Sequence, residues 1–118
     1  MTQYVLMIED DPDLATIFSA ALEHSGFSVE VAKNGKLAMQ RLSETTPDLI
    51  VLDMHLPLVS GAQILTHIRA DRRLSRVPVI VTTADARIGE SMGELADVVL
   101  IKPVSYQQLA ELAQRFQR

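Results

Sequence analysis

No cysteine occurs anywhere in the 118 residues, which excludes disulfides, thiolate zinc sites and a cysteine nucleophile and accords with a reducing compartment. Long apolar runs are missing too. The apolar stretch before Glu9, Asp10 and Asp11 is too short for the core of a signal peptide, and nothing later approaches membrane-spanning length. A cytoplasmic protein with no membrane contact is therefore expected. Positive charge is in deficit: 11 Lys and Arg against 15 Asp and Glu give a net charge of −4. The overall field offers no attraction to nucleic acid, and direct nucleic-acid binding is not expected. Repeats, linkers and low-complexity tracts are absent as well. What is present, 47% hydrophobic and 22% charged residues, is the composition of a folded chain, and its length fits one domain spanning residues 1–118.

Four short apolar runs, Tyr4 to Ile8, Leu49 to Leu52, Val79 to Val81 and Val98 to Ile101, read as strands. Their apolarity is nearly continuous, which predicts a parallel sheet covered on both faces. Ser28 to Ala32 alternates instead, with Val29 and Val31 around Glu30, and suits an edge strand. Helical spacing relates Leu14, Ile17, Phe18, Ala21 and Leu22, and again Leu109, Leu112, Ala113 and Phe116. Pro12 fits the first turn of the former helix and Gly26 its end, while Asn34-Gly35 marks a turn after the second strand. Shorter helices are expected around Ala38, Met39 and Leu42 and around Ile64, Leu65 and Ile68. A fourth, over 86–95, is weakened by Gly89 and Gly93. The order βαβαβαβαβα predicts an α/β, doubly wound five-stranded parallel sheet.

In such sheets ligands bind beyond the carboxyl ends of the strands. Glu9, Asp10 and Asp11 follow the first strand, Asp53 ends the third, Thr82 and Thr83 the fourth, and Lys102-Pro103 the fifth. Carboxylates converging from adjacent strands raise one another's pKa unless a cation joins them. An all-oxygen donor set without cysteine favours a hard cation, magnesium, with manganese also fitting. Asp11 and Asp13 read better as residues at the positive end of the first helix. Lys102, one of only three lysines, emerges from an apolar run and can reach the acidic cluster, as a counter-ion or as a ligand for an anion. His24 and His67 read as solvated. Arg69, Arg72, Arg73 and Arg76, with Asp71 among them, read as a soluble helix end and loop, with a docking patch as the alternative.

Val5-Leu6-Met7-Ile8-Glu9-Asp10-Asp11-Pro12-Asp13-Leu14, Pro47-Asp48-Leu49-Ile50-Val51-Leu52-Asp53-Met54-His55-Leu56-Pro57 with Gly61, Pro78-Val79-Ile80-Val81-Thr82-Thr83-Ala84 and Lys102-Pro103 occur in that order. Across essentially the whole chain the sequence resembles the response-regulator receiver domain of two-component signalling. The resemblance implies a flavodoxin-like fold with strand order 2-1-3-4-5. It implies Asp53 as phospho-acceptor, and magnesium held by Glu9, Asp10, Asp53 and the main-chain carbonyl of His55. Thr83 and Lys102 become the pair that senses the phosphoryl group, and the Lys102-Pro103 bond becomes cis. A histidine kinase or phosphotransfer protein would be the donor and a downstream protein the target, with a homodimer compatible. The domain would be a signalling switch, its chemistry limited to its own phosphorylation and dephosphorylation.

Three positions depart from that pattern. Val99 stands where many receivers carry an aromatic ring, the segment from Thr83 to Lys102 is short, with Leu95 replacing a common glycine, and Val104 follows Pro103 where Phe is frequent. A truncated fourth helix is expected. Other chemistries fit less well: a magnesium phosphatase lacks room for a substrate cap, and a flavin site would need a phosphate cradle where three carboxylates stand. The serious rival is a receiver-like interaction module that works without phosphorylation. His55 alone is thin support for a transition-metal site; its side chain is expected to border the acceptor and affect water access.

Overall fold

The computed structural model describes residues 2–118. Five strands, β1 (Tyr4–Ile8), β2 (Ser28–Ala32), β3 (Leu49–Asp53), β4 (Val79–Thr83) and β5 (Val98–Ile101), alternate with five helices. These are α1 (Pro12–His24), α2 (Gly35–Glu44), α3 (Gly61–Ala70), α4 (Ala86–Met92) and α5 (Tyr106–Gln114). The strands form one parallel sheet in the order β2-β1-β3-β4-β5. No helix among the described residues is long and apolar enough to cross a membrane.

The continuous apolarity of the central strands has a simple cause. Successive side chains point to opposite faces. Leu6, Ile8, Ile50, Leu52, Val79 and Val81 join one core with Leu42, Ile64, Leu65 and Ile68 of α2 and α3. Val5, Met7, Leu49, Val51 and Ile80 join the other with Phe18, Leu22 and Leu109 of α1 and α5. Every residue of β3 and β4 is buried. Burial at roughly 1.5–3 kcal/mol per large apolar side chain makes this double core the main source of stability.

Local chemistry sets the helix starts. Asp11 caps α1, its side chain accepting from the Asp13 and Leu14 amides, and Pro12 occupies the first turn. Asp11 and Asp13 thus hold the helix-end places expected of them. Ser60 and Gln63 form a capping box on α3. Gly26, with φ of +97°, turns the chain after α1.

Several expectations need adjustment. Asn34 is the cap of α2 and Gly35 its first residue, so the pair opens a helix rather than forming a free turn. A Cβ at Gly35 would lie 2.3 Å from the Val59 carbonyl oxygen, which excludes larger residues. Ile17, on the expected apolar face of α1, is 45% exposed. The alternation of β2 does not map onto burial: Val31 is exposed while Glu30 is half-buried, held by Arg41 and the Tyr4 hydroxyl. The fourth helix is shorter than its pattern, ending at Met92 with Gly93 as its cap.

Candidate functional site

Register brings the site together. Ile8 pairs with Leu52 and Asp53 with Thr82, while Thr83 pairs with Ile101. Glu9 and Asp53 therefore leave adjacent central strands side by side, with Lys102 entering just past the end of β5. Oxygen atoms of Glu9, Asp10 and Asp53 all lie within 4.8 Å of one another. Glu9 and Asp53 are buried and Asp10 is exposed. Lys102 Nζ stands 3.4 Å from Glu9 Oε1 and 3.4 Å from Asp53 Oδ2.

Three carboxylates face one ammonium, and the structure shows the cost. Burial first, then the neighbouring Asp53 charge, pushes the Glu9 carboxyl up to about 7 from its ordinary 4.5. The Asp11 amide donates to Glu9 Oε2 at 3.2 Å and the His55 amide to Asp53 Oδ1 at 3.1 Å, so both buried carboxylates are oriented by main chain. A hard divalent cation fits this donor set: it would relieve the charge that Lys102 leaves uncompensated, using oxygen ligands alone.

The wall opposite is backbone at close quarters. A Cβ at Gly61 would lie 2.6 Å from both the Asp53 carbonyl oxygen and the Met54 Cα, so glycine lets the start of α3 press against the strand that carries Asp53. Between them Leu58 takes φ of +73° and leaves its side chain 76% exposed, an uncommon conformation for a non-glycine residue. Composition gave no sign of it.

Thr83 is fully buried. Its Oγ1 accepts from the Asp85 amide at 3.0 Å, lies 3.4 Å from the Asp85 carbonyl oxygen, and meets His55 Nε2 at 3.3 Å. The Lys102 amide donates to the Thr83 carbonyl oxygen at 2.7 Å, and the Lys102-Pro103 bond is cis. All six positions singled out from the sequence, Glu9, Asp10, Asp53, His55, Thr83 and Lys102, thus stand at one end of the sheet.

Sequence reasoning missed how the arginines are used. Arg69 donates to the carbonyl oxygens of Leu95, Ser75 and Val77 and pairs with Asp97 at 2.9 Å. Arg73 holds the Leu42 and Thr45 carbonyls at the end of α2. Both are internal ties, which neither a solvated helix end nor a docking patch describes. A cavity of about 460 Å³, lined in part by Arg73, Arg76, Asp48 and Phe116, lies away from the carboxylates at the amino ends of β3 and β4.

A parallel sheet in this order, with acidic residues beyond β1 and at the end of β3 and a lysine beyond β5, defines a class of signalling domain. The chain belongs to the family described as the response regulator receiver domain, whose profile matches residues 5–114. It is 37% identical over 114 residues to the transcriptional regulatory protein PrrA of Mycobacterium leprae, covering 94% of this chain and 47% of that protein. It is 34% identical over 114 residues to the DNA-binding response regulator MtrA of Mycolicibacterium smegmatis, covering 92% and 48%. The chain therefore spans about half the length of these curated relatives. Among solved structures, the chemotaxis response regulator CheY4 of Vibrio cholerae shares the fold with a TM-score of 0.90 at 22% identity, covering 99% of this chain and 100% of that one. The receiver domain of the sensor histidine kinase PA1611 from Pseudomonas aeruginosa, solved with a magnesium ion coordinated in its active-site cleft, matches with a TM-score of 0.86 at 29% identity over 98% of both chains.

Proposed function

We propose that this receiver domain is a phosphorylation-driven switch in which Asp53 accepts the phosphoryl group. The observation that carries the reading is the placement of Asp53. It ends the central strand, is 2% exposed, and has an ammonium and two further carboxylates within reach. An Asp53 carboxylate oxygen attacks the phosphorus of a phosphohistidine or a small phosphodonor. The new O–P bond makes an acyl phosphate; from a phosphohistidine the broken P–N bond leaves its electron pair on the donor imidazole, which takes a proton from solvent, and from acetyl phosphate the broken P–O bond leaves its pair on the departing acetate. The His55 amide, already on Asp53 Oδ1, aims the attacking carboxylate. Lys102 neutralises charge on the transferring oxygens, the main demand of phosphoryl transfer. Glu9, Asp10, Asp53 and the main-chain carbonyl of His55 would hold magnesium, manganese being a fitting substitute. When bound, that ion supplies further neutralisation of the phosphoryl oxygens.

The donor is a histidine kinase or a phosphotransfer protein, and the readout is a changed surface for a downstream protein. DNA binding belongs, by its name, to the relative MtrA. For this domain, at a net charge of −4, contact with protein is the proposed output. In the phosphorylated state Thr83 moves toward a phosphoryl oxygen and carries the loop after β4 with it.

Mass spectrometry after incubation with magnesium and acetyl phosphate tests the assignment. The wild type is expected to gain one phosphoryl group and Asp53→Asn none. Phosphate on both proteins at the same rate overturns the choice of Asp53, and phosphate on neither favours an interaction module that works without it.

A further inference from the structure

His55 touches both halves of the proposed switch. Its amide donates to Asp53 Oδ1 at 3.1 Å, and its Nε2 lies 3.3 Å from Thr83 Oγ1. A threonine hydroxyl has one proton and two lone pairs. Here the Asp85 amide takes one lone pair, and the single proton has two acceptors in reach, the Asp85 carbonyl oxygen at 3.4 Å and, in the tautomer whose Nε2 is unprotonated, the His55 ring at 3.3 Å. Among the described residues, no hydrogen bond joins Thr83 to Asp53. A phosphoryl oxygen accepts, so for Thr83 to donate to it the hydroxyl must withdraw its proton from the present acceptor and move away from the imidazole.

The three partners are not equivalent. Both Asp85 contacts lie two residues along the same loop and can travel with it. The imidazole sits on the loop after β3, the strand beside the one that carries Thr83, and is the contact that ties the hydroxyl to the segment that follows Asp53. We propose that His55 is a positioning residue that latches the Thr83 hydroxyl in the resting arrangement, so that switching requires the Nε2 to Oγ1 contact to break. This inference rests on the roles given above to Asp53 and Thr83. The ring is exposed while Thr83 is wholly buried.

The latch biases a two-state equilibrium, and its removal favours the switched state. A neutral, partly exposed hydrogen bond contributes about 0.5–1.5 kcal/mol. His55→Ala is therefore expected to bind the phosphoryl mimic beryllofluoride, at saturating magnesium, about threefold more tightly than wild type, with roughly two- to tenfold as the bounds. The substitution leaves the main-chain amide and carbonyl of residue 55 in place. His55→Phe, which keeps bulk over Thr83 but offers no hydrogen bond, should show the same gain.

A double-mutant cycle with Thr83→Ala isolates the contact. Without the hydroxyl, His55→Ala should leave the mimic's affinity unchanged. An equal gain in both backgrounds, or no gain with Thr83 present, overturns the latch. Should wild type fail to bind beryllofluoride at all, the reading of Asp53 fails separately, and exchange of the Asp85 amide in the free protein then decides the latch. That amide donates to Thr83 Oγ1, so in His55→Ala it should exchange about threefold faster. An unchanged rate overturns the proposal.

Discussion

Glu9 is the residue at which the charge balance of the site becomes measurable. Its carboxyl sits at about 7 when folded against 4.5 in the open chain, so between those values the folded protein holds a proton that the unfolded chain has released. The stability this confers is complete below about pH 4.5 and is lost as pH rises through about 7. In the presence of a chelator, urea unfolding should show stability falling by on the order of 3 kcal/mol from pH 4.5 to pH 8. Glu9→Gln should remove most of that slope. Saturating magnesium should restore stability at pH 8 far more than at pH 4.5, because the ion competes with the proton for the same oxygens. A slope of equal size in Glu9→Gln would place its origin in another group.

At the scale of elements, Arg69 shows what a linear pattern conceals. Its side chain is 19% exposed and bonds three carbonyl oxygens and one carboxylate, joining the end of α3 to the segments on either side of β4. Arg69→Ala should cost about 2–3 kcal/mol in urea unfolding, since it strands carbonyls that have no other hydrogen-bond donor among the described residues, and Arg69→Lys should recover less than half. A loss below about 0.5 kcal/mol would mean that water replaces the guanidinium freely. The strands β1 and β5 were legible to the residue as unbroken apolar runs, although only β1 lies between two cores and β5 is a partly exposed edge strand, and the polar residues that follow those runs marked the site. Less could be read where a side chain's role depends on distant carbonyls, as with Arg69 and Arg73. The same holds where a polar residue is drawn inward by a partner from another element, as Glu30 is by Arg41 and Tyr4. The hydrogen bond between His55 and Thr83 spans 28 residues, and no local pattern announces it.

For the whole molecule, the sheet divides stability unevenly. β1, β3 and β4 lie between two cores, whereas β5 stands at an edge with its residues half-buried or exposed, and α4 has only seven residues. Local opening should follow that division. Amide hydrogen exchange is expected to be fastest, among the ordered elements, from Ala84 to Leu95 and slowest in β1 and β3. Magnesium with beryllofluoride should raise protection in the 84–95 segment. High protection there in the free protein, unchanged by the mimic, would refute this account of the output.

The Arg69 tie has a mechanical consequence for that segment. Leu95, just past α4, is bolted to α3 through its carbonyl oxygen, and Asp97 is held by both the Arg69 guanidinium and the Val79 amide. The other end of α4 begins three residues after Thr83. The helix is thus a short cantilever, built in at its far end and loaded at its near one. A displacement of Thr83 becomes a tilt that is greatest at Ala86 and Arg87 and dies away toward Leu95, so a partner that reads the switch has most to gain by gripping the near end.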